Sequence, residues 1–302
     1  RYDAMKVAAK LSIPFETWDF TQEYKQGVVD YMIREYRAGR TPNPDVMCNK
    51  KIKFGIFLKR ALEAGTDYIA TGHYVRKVET ANKSYKLSRA KDKNKDQSYF
   101  LWMLAQEELR HCLFPIGDYT KPEVRSLARK YALPTAEKKD SQGLCFIGKI
   151  DVREFLKNYI PEKRGLVLTT SGKKVGEHSG LEFYTMGQRR RIGIGGGTPY
   201  YVAEKNFETN TLVLAEGEND RRLYKKELEA NRLNWTSGLS LKLPFHCEAR
   251  IRYRQPLQRC EVSSRTSGGV RVVFNSPQRA IAPGQSIVFY DGKELLGGGV
   301  IR

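Results

Sequence analysis

Two of the five cysteines stand in surroundings that suit a reactive thiol. Asn43-Pro44-Asp45-Val46-Met47-Cys48-Asn49-Lys50 sets a carboxylate three residues ahead of a thiol, where a proline-stiffened loop turns into a helix. A cysteine at a helix N-terminus, beside Lys50, Lys51 and Lys53, has its thiolate favoured by the backbone dipole and by the cations. A small buried cysteine fits the same position, so nucleophile and packing residue both stay open for Cys48. The second thiol, Cys145, lies on the glycine-bracketed loop Gly143-Leu144-Cys145-Phe146-Ile147-Gly148. Glycines on both sides permit unusual dihedrals and close approach of another chain, while Leu144, Phe146 and Ile147 equally suit a core cysteine. Were the two thiols to meet, they could exchange sulfur or form a transient disulfide. Cys112, Cys247 and Cys260 have apolar neighbours in helical or strand patterns and read as packing residues. The odd, widely spaced set holds no CxxC pair, which argues against a disulfide framework and against a zinc knuckle. Among the four histidines, His73 alone sits like a ligand-site residue. His111 and His246 adjoin cysteines, but adjacent side chains diverge, so a metal site is not expected.

A second group of residues suits a polyanion. Lys plus Arg is 53 against 34 Asp plus Glu, a surplus of +19 that exceeds what solubility asks and points to nucleic acid, the alternative being a lineage-wide lysine habit. Ala249 to Cys260 (ARIRYRQPLQRC) holds four arginines and no acid. On a strand, Arg250, Arg252 and Arg254 would share one face at intervals of roughly 6 to 7 Å, matching a row of phosphates. The alternative is a solvated strand face. Gly187 to Gly197 makes another basic loop around Arg189, Arg190 and Arg191; it lacks the strand-turn-helix setting a dinucleotide site requires.

These residues need elements to position them. At 302 residues, 40% hydrophobic and with no apolar run near membrane-spanning length, the chain is expected to be globular, of about two domains, and not a membrane protein. Ala4, Val7, Ala8 and Leu11 recur at helical spacing, Phe15 to Phe20 reads as a strand, and Val28, Val29, Met32, Ile33 and Tyr36 as a helix. Thr41 to Asp45 reads as a loop, and a helix from about Asn49 to Ala64 stops at Gly65. Asp67 to His73 follows as a short buried strand with Gly72-His73 at its carboxyl end. Such alternation marks a parallel α/β sheet, where ligands sit beyond the strand ends. Lys77 to Gln97, with seven basic and three acidic residues, reads as a hairpin or loop. Helices are expected at Ser98 to Leu109 and Pro122 to Tyr131. After about residue 150 alternating runs separated by turn residues predict β structure, one or two small barrels. The expected division is 1–150, 151–218 and 219–302.

Taken together, TPNPDVMCNKKIKF (41–54), ATGHY (70–74), KDQSYFL (95–101), GLCFIGK (143–149), YTMGQRRRIGIGG (184–196), RYRQ (252–255) and APGQSIVFYDGKELLGGG (282–299) resemble the tRNA-specific 2-thiouridylase family, in order and over nearly the whole chain. The resemblance implies a nucleotide-binding α/β domain of the adenine nucleotide α-hydrolase type followed by two small β-barrel-like domains. It implies ATP, with Mg2+ and no resident metal cofactor, adenylating the 2-oxygen of the wobble uridine of tRNA, and a persulfide replacing that oxygen with sulfur. By motif, Cys145 matches the cysteine that receives the persulfide and Cys48 the thiol that completes transfer, leaving a Cys48–Cys145 disulfide to be reduced. Asn43, Pro44 and Asp45 match the segment at the target base, with Asp45 the proton-transfer group. Gly72 matches an ATP contact. His73, Lys95, Asp96, Gln97, Arg252, Tyr253 and Gln285 match tRNA contacts. The implied partners are tRNA and a sulfur donor, a cysteine desulfurase or sulfur-relay protein, in the cytoplasm.

The family opens with a strand and an SGGVDS phosphate-holding loop, and residues 1–302 contain neither. The expectation is a truncated ATP site and an inactive chain. Two rival readings carry less. An RNA-binding paralogue without catalysis leaves both cysteine motifs unexplained, and a thiol-disulfide oxidoreductase explains neither the missing CxxC nor the charge.

Overall fold

The computed structural model describes residues 1–139, 143, 148, 151–195, 197–264 and 268–302. Its first part is α/β. Helix Tyr2–Leu11 is followed by a segment, 13–20, that forms no strand ladder, contrary to the expectation for Phe15 to Phe20; a β pattern needs a neighbour, and none of the described strands lies beside it. Thr21–Tyr24, Lys25–Val29 and Asp30–Arg37 run on as one helix with a π turn in its middle. A second helix begins at Pro44, not Asn49. Asn43 caps it by accepting the Val46 N–H at 3.4 Å, and proline is well suited to a first helical position because its missing N–H would be unpaired there anyway. That helix passes from Pro44–Met47 through a π stretch, Cys48–Ile56, into Phe57–Glu63. Strands β1 (Ile69–Ala70) and β4 (Cys112–Leu113) pair in parallel, and β2 (Val75–Glu79) and β3 (Tyr85–Arg89) form a hairpin that takes in the start of the segment 77–97, which reads as a hairpin or loop.

The expected helix from Ser98 to Leu109 is broken into a single 3-10 turn, Ser98–Phe100, and a short helix, Gln106–Arg110. Tyr99, Leu101, Trp102 and Leu104 are all buried, and no single helix face could bury that set. Helix Lys121–Lys130 matches its expected position and starts on a reciprocal cap between Thr120 and Glu123.

Beyond residue 150 the chain is mainly β. Strands β5 (Gly165–Thr169), β6 (Lys174–His178), β7 (Tyr200–Asn206) and β8 (Thr211–Glu216) form a sheet in the order β6-β5-β8-β7, with β5 parallel to β8. Strands β9 (Tyr224–Trp235), β10 (Phe245–Arg250), β11 (Gln258–Ser264), β12 (Val270–Arg279), β13 (Ser286–Asp291) and β14 (Glu294–Ile301) run β13-β10-β11-β12-β9-β14, and β13 also pairs with β14, closing a six-stranded barrel. The fold is therefore α/β followed by β, as expected from the sequence.

What positions the candidate residues is how these parts share cores. β14 carries the β2–β3 hairpin as an extension of the barrel sheet, with Leu295 opposite Leu87. Val46, Phe54, Leu87, Tyr99 and Trp102 of the first part then pack in one core with Val288, Tyr290 and Leu295 of the barrel. Trp102 fits because β14 has a glycine there: a Cβ on Gly298 would lie 2.8 Å from its indole ring. On the other side, Ile33 joins Leu156, Val167 and Leu212 in the core of the four-stranded sheet.

Candidate active site

Cys48 is the fifth residue of the helix that starts at Pro44 and is fully buried, packed with Val28 and Ile52. It therefore lies a turn inside the helix rather than at its first residue. The π stretch that begins at Cys48 widens the helix here, a feature often found where a helix serves a site. Asp45 is half-buried in the first turn. Cys145 lies outside the described residues, and so does any pairing between it and Cys48.

One turn beyond Cys48, Ile52 and Lys53 line a cavity of about 720 Å³ at the carboxyl end of β1. Gly72, His73 and Gln97 line it too. Trp18, Phe20 and Phe57 form an aromatic wall with ring centroids 5.5 to 6.4 Å apart. Gly72 is exposed, and a Cβ there would meet nothing within 4 Å, so the main chain is open to a ligand. Lys53 and Glu16 are the charged groups of the described lining. An aromatic wall, an open backbone and one ammonium fit a flat heterocycle carrying an anion.

His73 is buried in that lining. Its Nδ1 is 2.9 Å from Thr71 Oγ1 and its Nε2 3.5 Å from Lys53 Nζ. Burial, with the Lys53 ammonium adding to it, drives its pKa down to about 3, so the ring is neutral near pH 7. The ammonium can only donate, which makes Nε2 the acceptor and puts the ring proton on Nδ1, donated to Thr71. Gln97 is tied to the next residue along: its Oε1 accepts from Tyr74 N–H at 3.0 Å, and its N–H donates to Tyr74 O at 2.8 Å.

The segment 95–101 joins the other motifs. Asn49 Nδ2 donates to Phe100 O at 3.2 Å, and the Phe100 ring lies 4.6 Å from that of Tyr253. The buried Tyr99 hydroxyl donates to Ser286 O at 2.9 Å and is hydrogen-bonded to the Asn43 side chain. Gln285 Nε2 reaches Thr41 O at 3.1 Å and Pro42 O at 2.8 Å, so the 282–299 motif holds the loop ahead of Asn43. Lys95 is half-buried at the same turn, its N–H donating to Asp92 Oδ1 at 3.2 Å. Asn43, Asn49, Tyr253 and Ser286 thus gather around Tyr99 and Phe100, with Cys48 next to Asn49 in the chain. The sequence did not single out Asn49, Tyr99 or Phe100, and marked Lys53 only as a cation near Cys48. Tyr99 and Phe100 stood inside a quoted motif, but aromatic residues there read as ordinary core.

Asp96 and Arg250 depart from their expected setting. Asp96 is buried, and its carboxylate accepts from Arg250 Nη2 at 2.6 Å, Arg89 Nε at 3.2 Å, and the N–H groups of Ala90 and Ser98. The expected strand face of three arginines does not form. β10 ends at Arg250, which turns inward to Asp96 and Tyr290; residues 251–255 then turn, with Ile251 N–H donating to Gln255 Oε1 at 3.0 Å. Arg252 Nη2 donates to Met186 O at 3.1 Å and Ala280 O at 2.5 Å, at the junction with the four-stranded sheet. Arg254 is exposed, with φ +65°, and stacks on Tyr253.

Comparison with known proteins finds three family models along the chain. Residues 1–149 match a family model described as a tRNA methyl transferase HUP domain, 153–216 a tRNA methyl transferase PRC-barrel domain, and 225–301 an aminomethyltransferase beta-barrel domain. The tRNA-specific 2-thiouridylase MnmA of Halalkalibacterium halodurans is 49% identical over 300 residues, covering 99% of this chain and 81% of that protein. The chain belongs to the tRNA-specific 2-thiouridylase family. The enzyme of the same name from Nitrosococcus oceani is 47% identical, with 100% of this chain and 83% of that protein covered, and one from Francisella tularensis subsp. holarctica is 46% identical, with 99% and 85% covered. Among the described residues, no helix is long and apolar enough to cross a membrane, and no group of three or more His, Cys, Asp or Glu side chains is placed to hold a metal ion.

Proposed function

We propose that this protein replaces the 2-oxygen of the wobble uridine of tRNA with sulfur, using ATP with Mg2+ and a persulfide. The observation that carries the reading is the convergence on Tyr99 and Phe100, in the 95–101 motif, of three other motifs from distant parts of the chain, beside a cavity with an aromatic wall and an open backbone. ATP supplies an adenylyl group that makes AMP the leaving group at the base. Gly72 and the aromatic wall are the groups that would hold its adenosine, and Lys53 would face a phosphate. His73 and Gln97 line the same cavity, so nucleotide and target nucleoside would meet there.

Asn43, Pro44 and Asp45 stand at the helix start where the base would enter, and the half-buried Asp45 carboxylate is the group to move a proton at the base. The terminal sulfur of a persulfide on Cys145 would bond to C2 as AMP departs. Attack of Cys48 on the Cys145 sulfur then breaks the S–S bond, leaves sulfur on the base and joins Cys48 to Cys145 in a disulfide, which an external thiol reduces. A buried Cys48 keeps water from competing for that bond. Lys95, Tyr253 with its stacked Arg254, and Arg252 are the proposed tRNA contacts, with Gln285 acting through the loop it holds. Asp96, turned inward, would serve by fixing Lys95 and Gln97. The sulfur donor would be a cysteine desulfurase or a relay protein.

The test uses the chain supplied with the family's SGGVDS segment, together with tRNA, ATP, cysteine and a cysteine desulfurase. Mass spectrometry of the digested nucleosides should find 2-thiouridine with the native sequence and none with Cys48→Ser. Full thiolation by Cys48→Ser would overturn the reading.

A further inference from the structure

The sequence places Cys247 and Cys260 in packing roles, yet the fold sets them directly opposite each other on β10 and β11, with Sγ atoms 3.7 Å apart. Directly opposed residues of antiparallel strands have Cα atoms about 4.5 to 5.5 Å apart, inside the span of about 4.4 to 6.8 Å that a disulfide bridges. The pair is reachable. Cys247 is half-buried and Cys260 is buried in the barrel core, and both residues line a cavity of about 440 Å³ to which the exposed His246 also contributes. Arg259, Glu248 and Asp291 share that lining. Cys112 is enclosed in the other core, shared by the first part and the barrel.

We propose that Cys247 and Cys260 are an oxidisable dithiol, a modification site separate from Cys48 and Cys145, that peroxide converts to an intramolecular disulfide. Cys247 Sγ attacks one oxygen of hydrogen peroxide, the O–O bond breaks, and the other oxygen leaves as water. Cys260 Sγ then attacks the sulfenic sulfur and displaces its oxygen as a second water. Two thiols lose two electrons and two protons, and one peroxide becomes two waters. The contact with Cys260 and burial both push the Cys247 thiol up, so the first attack is slow and the site responds to sustained rather than brief exposure. β10 and β11 are the two arms of the hairpin whose tip carries Arg252, Tyr253 and Arg254. A disulfide at 247 and 260 would clasp that hairpin below its tip.

The experiment is peptide mapping of the full chain after prolonged treatment with hydrogen peroxide, alkylation of remaining thiols and tryptic digestion. Cleavage after Lys242, Arg250, Arg259 and Arg265 yields residues 243–250 and 260–265. The expected product is these two peptides joined, lighter by two hydrogens and separated by dithiothreitol, with Cys247→Ser leaving Cys260 unlinked. Recovery of both peptides singly, alkylated or carrying sulfinic or sulfonic acid, would overturn the proposal. So would linkage of either cysteine to Cys48, Cys112 or Cys145. Because the native sequence alone gives the decisive map, the result stands whether or not Cys247→Ser folds.

Discussion

Replacing Asp96 by Ala should loosen the joint between the first part of the chain and the barrel. The Asp96 side chain is 1% exposed and that of Arg250 3%, so the mutation strands a guanidinium in a nearly dry site. Burial alone opposes that charge, but Tyr290 and the Asp96 carboxylate outweigh it and hold the Arg250 pKa above its ordinary value. Breaking a buried pair from one side costs about 3 to 5 kcal/mol. The N–H groups of Ala90 and Ser98 lose their acceptor as well, at about 1 to 3 kcal/mol each where water cannot replace it. Contributions within one network do not simply add, so we take about 4 kcal/mol as the expectation. Since about 1.4 kcal/mol is tenfold, that is nearly a thousandfold in the folded-to-unfolded ratio. Urea titration followed by tryptophan fluorescence, to which Trp102, buried against the barrel, contributes with Trp18 and Trp235, reads the change as a shifted midpoint. Asp96→Asn keeps an acceptor for the amides and should lose less. Adding Arg250→Met to Asp96→Ala should recover part of the loss, because the uncompensated charge is gone. A loss below about 1 kcal/mol for Asp96→Ala, or no recovery in the double variant, would refute the claim that this pair joins the two parts.

Other outcomes follow from single residues. The His73 pKa lies near 3 when folded against 6.5 otherwise, so the unfolded chain binds the extra proton below 6.5 and the folded chain loses stability as pH falls. The loss should reach about 2 kcal/mol near pH 5, and the His73 ring resonance should stay fixed from about pH 8 to that point; a midpoint near neutrality would contradict the buried, neutral ring. Cys112, its thiol raised to about 12 by burial, should resist iodoacetamide at about pH 8 in the native chain and react after unfolding. Rapid native labelling would show that it is accessible. Gly284 has φ +90°, and a Cβ there would lie 2.8 Å from Thr41 O. Gly284→Ala should therefore cost about 1 to 3 kcal/mol and displace the loop ahead of Asn43, lowering thiolation more than tRNA affinity; unchanged stability would argue against that close approach.

Much of this protein is legible along the chain because the signals are local. The apolar periodicity of 28–36, the Thr120 cap, the basic hairpin after residue 75 and the alternating runs after 150 each depend on neighbours a few residues away, and each element formed. The motif residues that mark the family are local too. Where local pattern misled, a distant partner was the cause. Phe15 to Phe20 has a strand's composition but, among the described residues, no strand beside it, and the apolar run from Tyr99 to Leu104 buries side chains in several directions against a barrel that arrives almost 190 residues later.

Only the tertiary structure decided what the arginines and thiols meet. Alternation alone put Arg250, Arg252 and Arg254 on one exposed face. Arg250 instead turns inward to a carboxylate 154 residues away, and a turn pinned by Gln255 sends the other two in different directions. The sequence likewise placed Cys247 and Cys260 thirteen residues apart with nothing to pair them, until the register of β10 against β11 brought their sulfurs together. Composition and periodicity reflect what each residue wants from a neighbour. Which neighbour it receives is set by strand register, by closure of the barrel and by the shared core, and these are properties of the whole chain.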